Sequence, residues 1–454
     1  MDAKLEKTIN RMYKALLCDR KTKRHRFLVD IDYVEEVYQR QTEYLNTIYN
    51  IGKSNYNKTL QNGKKGTFKE SSYCDTFYNR KNLITPGKIA SVYERTKEAK
   101  TESELFDILN EISDLKLTGT IQSIQSVRER FEKKGENDIN ILIVGAGPNG
   151  LFLANYINQL YNNPYSNVRA NILILDNRIY SETVRYPYIR NRLFSISTRY
   201  LDIVLPGIYC KKNVRNGGMM IPIRYLELLL YMRTYEERIP LLFTKKYEKY
   251  GDLKDLISSL KIDVMYDSSG GRMQGLKLKS NPDVLKNVDM ESDKYSFQVK
   301  MDDNYVQMDL RGHLDRFLSI EVYGDKMIYF EPVTFQVKNQ SDYDLLHGLC
   351  IKKEDLPKLI LKIKDEHLQK LMIGLYHKDM ERDERIEYIQ INSFEMKMYH
   401  RFKVAEVLKA KNHNFLYIGT GDTIFSSHYV VGAGLNRTLL FSIKTAHLLN
   451  MLKE

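Results

Sequence analysis

Residues Ile139-Asn140-Ile141-Leu142-Ile143-Val144 form a short β-branched apolar run, the pattern of a strand buried on both faces of a parallel sheet. Gly145-Ala146-Gly147-Pro148-Asn149-Gly150 follows, and then Leu151-Phe152-Leu153-Ala154-Tyr156-Ile157 at helical spacing. A second apolar run, Ala170 to Leu175, ends at Asp176. Strand, glycine turn, helix, strand and acid together predict a βαβ unit. Near the C-terminus Phe415-Leu416-Tyr417-Ile418-Gly419 predicts another buried strand, and residues 436–452 a closing helix. Between these parts the pattern becomes strand-rich, with Tyr295 to Met301, Met327 to Phe330 and residues 388–405, interrupted by a helical stretch at about 354–374. Before residue 136 the periodicity is helical. Leu28-Val29-Ile31-Val34-Val37-Tyr38 and Leu105-Ile108-Leu109-Ile112-Leu115 are apolar stripes, the second preceded by capping residues at Thr101 to Glu104. Residues 51–73 are polar, basic and Gly-bearing, and read as a flexible loop.

Composition narrows the class. A chain of 454 residues suits two or three domains, and 43% apolar residues suffice for a core. There is no uninterrupted apolar run long enough to span a bilayer, and the first residues lack the features of a secretory signal. Cys18, Cys74, Cys210 and Cys350 have no paired or metal-site spacing, which argues for a reducing, cytoplasmic setting and against a metal centre. The net charge of +12 favours an acidic protein or an anionic substrate as partner, ahead of nucleic acid.

The glycine turn carries the most specific chemistry. Gly145 permits the tight turn out of the strand, Gly147 lets backbone approach a pyrophosphate, and Gly150 lets helix and strand pack closely. The helix then presents unpaired N–H groups and a positive dipole end to phosphates. Asp176, 31 positions after Gly145, sits where a carboxylate accepts ribose hydroxyls. The usual interval is about 20, and the polar stretch Tyr161 to Asn167 accounts for the excess as an inserted loop. A second cradle lies far along the chain, in Gly419-Thr420-Gly421-Asp422 and in Gly432-Ala433-Gly434-Leu435-Asn436. Asp422 is placed to accept a ribityl hydroxyl, and the glycine turn to offer backbone N–H groups to a flavin ring. With Pro148 and Asn149, these residues make up the candidate cofactor set. One fingerprint only is present, so a second domain for a nicotinamide nucleotide is not predicted.

These motifs resemble the single-component FAD-dependent hydroxylases of the para-hydroxybenzoate hydroxylase class, and most of all the MICAL monooxygenase domain. Residues 145–151 have that class's GAGPxGL form, Ile221-Pro222-Ile223-Arg224 is similar to an I-x-I-R helix start, and Asp263 to Gly271 is similar to its Asp-Gly segment. The resemblance covers about 139–450. It implies an α/β fold: an FAD-binding Rossmann-like, glutathione-reductase-type domain (137–290 and 400–454), an inserted β-rich substrate domain (291–399) and an α-helical N-terminal region (1–136). It makes Asn191 a flavin-side contact, Arg178 an adenosine contact and Arg224 a cofactor-facing residue. The chain departs from the class at Val430, where Pro is common, at Tyr429, where MICAL proteins have Trp, and in the Asp-Gly motif.

The activity implied is an NAD(P)H- and O₂-dependent monooxygenase acting through a flavin C4a-hydroperoxide on a protein side chain or a small aromatic. His428 and Tyr429, beside the distal loop, are the candidates for proton handling. Two other readings stand beside it. One is a flavoprotein working as an oxidase or a redox-gated interaction protein. The other makes the basic N-terminal third a binding module.

Overall fold

The computed structural model describes residues 3–19, parts of 91–111, and residues 124–178, 193–197, 218–278, 297–301, 305–310, 316–323, 333–337, 339–381, 386–395, 398–401, 403–426 and 434–453, with a few single positions between them. Its centre is a six-stranded sheet. Strands β1 (Asp138–Val144), β2 (Arg169–Asp176), β5 (Leu241–Phe243), β6 (Val264–Asp267) and β15 (His413–Gly419) are mutually parallel in the spatial order β5-β2-β1-β6-β15. Numbered by their order along the chain, these five run 3-2-1-4-5, the doubly wound order of dinucleotide-binding folds. The sixth strand, β14 (Ala405–Ala410), joins β15 antiparallel at one edge.

Both faces of this sheet are buried, which is why its strands read as continuous apolar runs rather than alternating ones. Ile139, Ile141, Ile143, Ile172, Ile174, Val264, Tyr266, Leu416 and Ile418 enter one core. Their neighbours Leu142, Leu173, Leu175, Met265, Phe415 and Tyr417 enter the other. Helices α4 (Pro148–Tyr161), α5 (Ile223–Glu236) and α10 (Gly434–His447) cover the first face. Helices α3 (Ile124–Glu132) and α6 (Tyr250–Ser259) cover the second through Val127, Phe131, Leu253, Leu256 and Ile257.

Helix α1 (Ala3–Leu16) belongs to this unit, although the sequence reading drew a boundary near residue 136. Its Leu5, Ile9 and Tyr13 are buried in the first core. Its polar side chains close the open edge of β14. Asn10 Oδ1 accepts from the amides of Val404 (2.9 Å) and Ala405 (3.1 Å), Asn10 Nδ2 donates to the Ala405 carbonyl (2.7 Å), and Glu6 accepts from the Val407 amide (2.9 Å). Side chains here take the place of a neighbouring strand, so the edge is not left as a template for aggregation. Helix α2 (Glu102–Leu109) starts at the expected cap, where Thr101 and Glu104 form a reciprocal capping box. The stripe at 28–38, apart from two isolated positions, and the loop at 51–73 lie outside the described residues.

The remaining strands are antiparallel. β3 (Leu193–Ser197) pairs with β4 (Gly218–Pro222). Two four-stranded sheets, β10-β9-β12-β11 and β16-β13-β8-β7, account for most of the inserted part. They comprise β7 (Phe297–Met301), β8 (Tyr305–Leu310), β9 (Arg316–Tyr323), β10 (Val333–Gln336), β11 (Leu349–Lys352), β12 (Tyr388–Glu395), β13 (Met398–Arg401) and β16 (Phe425–Ser426). The helical stretch expected over 354–374 is broken into α8 (Leu356–Ile360) and α9 (Glu366–Leu375), preceded by α7 (Gln340–Leu346). The break has a cause. The buried Asp342 carboxylate accepts from the amides of Lys364 (2.9 Å) and Asp365 (2.8 Å), and Asp365 caps the new helix at Leu368. No helix among the described residues is long and apolar enough to cross a membrane.

His400, fully buried on β13, makes the fold sensitive to acid. Burial pushes its imidazole down from 6.5 to about 4, offset only in part by the Arg401 carbonyl. The unfolded chain therefore binds one more proton than the folded one between those values. That contribution to stability is complete above pH 6.5 and is lost as pH falls toward 4, by about 3 kcal/mol in all. Urea unfolding of wild type and of His400→Gln across pH 4–7 checks this: the slope should be shallower in the variant, and equal slopes would refute it.

Candidate functional site

The doubly wound order reverses direction between β1 and β6, and ligands of such sheets bind outside the carboxyl ends of the strands at that reversal. Val144, Asp267 and Gly419 lie in register there, as the last residues of β1, β6 and β15. The glycine turn leaves β1 at this point. Gly145 has φ of +106°, and a Cβ there would come within 2.4 Å of the Ser268 carbonyl oxygen. Gly150 lies in the first turn of α4, where a Cβ would stand 1.9 Å from the Gly145 carbonyl oxygen. Both positions thus exclude side chains for reasons of packing. Gly147 is different, because a Cβ there meets nothing among the described residues within 4 Å. It is half-buried and caps α4 without a side-chain hydrogen bond. Pro148 sits at the first position of the helix, where its missing N–H costs nothing.

The second cradle meets the first at Asn149. The turn after β15 runs through Gly421 at φ of +63°, and a Cβ on Gly421 would lie 3.3 Å from the Asn149 side chain. Asn149 Nδ2 donates to Ser268 Oγ (3.2 Å), and Asn149 Oδ1 accepts from Ser442 Oγ on α10 (3.1 Å). Ser268 Oγ in turn is hydrogen-bonded to Thr420 Oγ1 at 2.6 Å. One amide side chain therefore ties together the first glycine turn, the loop after β6, the turn after β15 and the C-terminal helix.

Beneath this junction lies a carboxylate that the sequence reading had not singled out. Asp267, fully buried, accepts from Tyr417 Oη (2.9 Å), the Ser269 amide (3.0 Å) and Thr423 Oγ1 (3.3 Å). Thr423 Oγ1 also accepts from the amides of Gly270 and Gly271, fixing the Asp-Gly-like segment against the distal turn. Burial, and then the Asp267 charge, push the Tyr417 phenol far above its ordinary range, so it stays a donor. Tyr399, from the inserted sheet, donates to the Asp422 carbonyl, and Arg401 Nε to the Thr423 carbonyl (2.7 Å). These contacts join the β-rich part to the turn. An acid at the end of a strand beside the reversal was the available signal.

Asp176 and Arg178 are paired with each other. The Asp176 carboxylate lies at the end of β2, but the Ala146 amide (2.6 Å), the Arg178 amide (2.9 Å) and the Arg178 guanidinium, at 2.9 Å to each oxygen, already occupy it. Arg178 also reaches Glu227 at 3.4 Å. The arginine two positions on folds back over the acid, so a ribose hydroxyl at this carboxylate would have to replace one of these bonds. Asp422 is exposed at the site, and Gly434, Leu435 and Asn436 form the start of α10. Arg224 lies in the first turn of α5, its side chain outside the described residues. Asn191, His428, Tyr429 and Gly432 are likewise outside them.

No family model matches the chain, and no similar curated protein was found. Several solved structures overlap it. CtdE in complex with FAD and substrate 4 is 13% identical, with 69% of this chain and 81% of that chain covered and a TM-score of 0.36. The tetrameric form of 2-methyl-3-hydroxypyridine-5-carboxylic acid oxygenase is 9% identical, with coverage of 68% and 82% and a TM-score of 0.37. pqsL, a probable FAD-dependent monooxygenase from Pseudomonas aeruginosa, is 12% identical, with coverage of 69% and 86% and a TM-score of 0.32.

Proposed function

We propose that the chain is an FAD-dependent oxidoreductase, a monooxygenase of the para-hydroxybenzoate hydroxylase class that takes electrons from NAD(P)H. The observation that carries this reading is the junction at Asn149. Two glycine-bearing turns, roughly 270 positions apart in sequence, meet at the carboxyl edge of a doubly wound sheet, where its strand order reverses.

The residues present fit such a cofactor. The space that the described residues leave in front of Gly147 would admit a pyrophosphate, and the start of α4, which no side chain caps, would offer it amide donors and a positive dipole end. Exposed Asp422 supplies an acceptor for a polyol hydroxyl beside Asn149. Bound flavin would supply hydride acceptance and oxygen activation. The chain's part is to hold it, and the buried Asp267, Thr423 and Tyr417 group keeps the distal turn in place. The inserted sheets, reaching the same turn through Tyr399 and Arg401, supply the wall on which a substrate would rest.

The finer reading, a MICAL-type enzyme acting on a protein methionine, draws support from the Ile221 to Arg224 segment, where β4 ends and α5 begins. A flavoprotein without hydroxylase chemistry is the second reading, favoured by Val430 and by an Asp267 carboxylate wholly engaged within the protein. An absorption spectrum separates the possibilities. The purified protein is expected to be yellow, to lose its visible flavin band with NADPH under anaerobic conditions, and to consume O₂ when air returns. A protein that takes up no FAD ends the proposal. Flavin binding without bleaching by NADPH or NADH leaves the second reading in its place.

A further inference from the structure

The opposite end of the central sheet carries a second concavity. β1 and β2 begin side by side there, Asp138 paired with Arg169, and α3 packs against β2. A strand of this length spans roughly 20 Å, so this end is far from the Gly147 cradle. Ser126, Glu129, Arg130, Lys133, Asn162 and Arg169 line a cavity of about 390 Å³.

Its charges are unevenly satisfied. None of Arg130, Lys133 and Arg169 has an ion-pair or side-chain hydrogen-bond partner among the described residues. The wall carboxylates also have neutral donors: Asp138 accepts from the Gly135 backbone amide at 3.0 Å, and Glu129 from Gln125 Nε2 at 3.5 Å. Asn162 exchanges hydrogen bonds with the backbone of Ala170 at 2.8 and 3.0 Å, which stiffens the wall at the start of β2. Arg130 is exposed, but the protein around it, and then the neighbouring Arg169, both disfavour its charge. Three cations against the two wall carboxylates, Glu129 and Asp138, leave the groove with an excess of positive charge, which an anion relieves. Guanidinium groups suit phosphate because their paired donors match its oxygens. The cavity lies in the range of small-molecule pockets, roughly 300–1,000 Å³, larger than a single phosphate requires.

We propose that this groove binds a ligand bearing a di- or triphosphate group, gripped by Arg130 and Arg169, with Lys133 supplying the third positive charge. The site is independent of the flavin reading and would stand if that reading fell.

The full chain is titrated calorimetrically with pyrophosphate, ATP and orthophosphate, with and without saturating FAD, so that binding at the Gly147 cradle is set apart. Pyrophosphate or ATP should bind whether or not FAD is present, at least 10-fold more tightly than orthophosphate. Binding should weaken at least 10-fold in Arg130→Gln or Arg169→Gln and vanish in the double variant. ATP binding more tightly than pyrophosphate assigns a nucleotide, and equal affinities assign the free polyphosphate. The ligand-free melting temperature of Arg169→Gln should equal or exceed that of wild type, because a repulsion is removed. Absence of FAD-insensitive binding, orthophosphate binding as tightly as pyrophosphate, or undiminished affinity in a folded double variant would each overturn the proposal.

Discussion

Replacing Gly150 by alanine should destabilise the protein by about 3 kcal/mol or more, at the upper end of what overpacking costs. The added Cβ would stand 1.9 Å from the carbonyl oxygen of Gly145. That oxygen belongs to backbone and cannot swing aside like a side-chain tip. Nor can the turn retreat, because Gly145 lies against the backbone of Ser268 on its other side. Relief requires α4 to lift from β1, and α4 carries Leu151, Phe152 and Ala154 into the core. Domains of this kind are stable by only about 5–15 kcal/mol, so the loss is a large share of the whole. The urea midpoint should fall steeply, or the variant should be recovered only as aggregate. A midpoint equal to wild type would mean that the helix does not pack as described.

The contrast between what the sequence disclosed and what it hid follows from the range of the interactions involved. The βαβ unit was legible because its signals are local: apolar runs of strand length, a glycine turn and helical spacing sit within forty residues of one another. Burial of both sheet faces made those runs continuous and easily seen. The distal turn was legible as a strand ending in small residues. That the two turns lie together was an inference from pairing two motifs, and a Cβ on Gly421 would stand 3.3 Å from the Asn149 side chain. The role of α1 was not legible. Asn10 and Glu6 bind the backbone of residues 404–407, nearly four hundred positions away, and a polar residue on a helix carries no mark of such a partner. Asp267 carries no mark in the sequence beyond its place in the Asp-Gly segment, because the identity of its donors, Tyr417 and Thr423, depends on sheet order. The Arg178 clasp on Asp176 was hidden for the opposite reason. It is local, but a ligand-binding acid and an acid satisfied within the protein look the same in sequence.

Replacing Gly147 by valine tests the site without disturbing the fold. Gly147 has φ of −76° and ψ of 179°, an extended conformation that valine adopts readily. A Cβ there meets no atom of the described residues within 4 Å, and valine is only a poorer helix cap than glycine, so stability should stay within about 1 kcal/mol of wild type. FAD affinity should fall at least 100-fold, about 2.7 kcal/mol, because the branched side chain fills the space through which a pyrophosphate reaches the start of α4. Gly150 and Gly147 are three residues apart in one motif, yet packing among the described residues requires the first and not the second. Equilibrium dialysis with FAD, set beside a urea titration of the same variant, separates the two roles. If the Gly147→Val protein keeps wild-type affinity for FAD, the cofactor does not lie at this turn. If it unfolds, the open space in front of Gly147 is not where the geometry puts it.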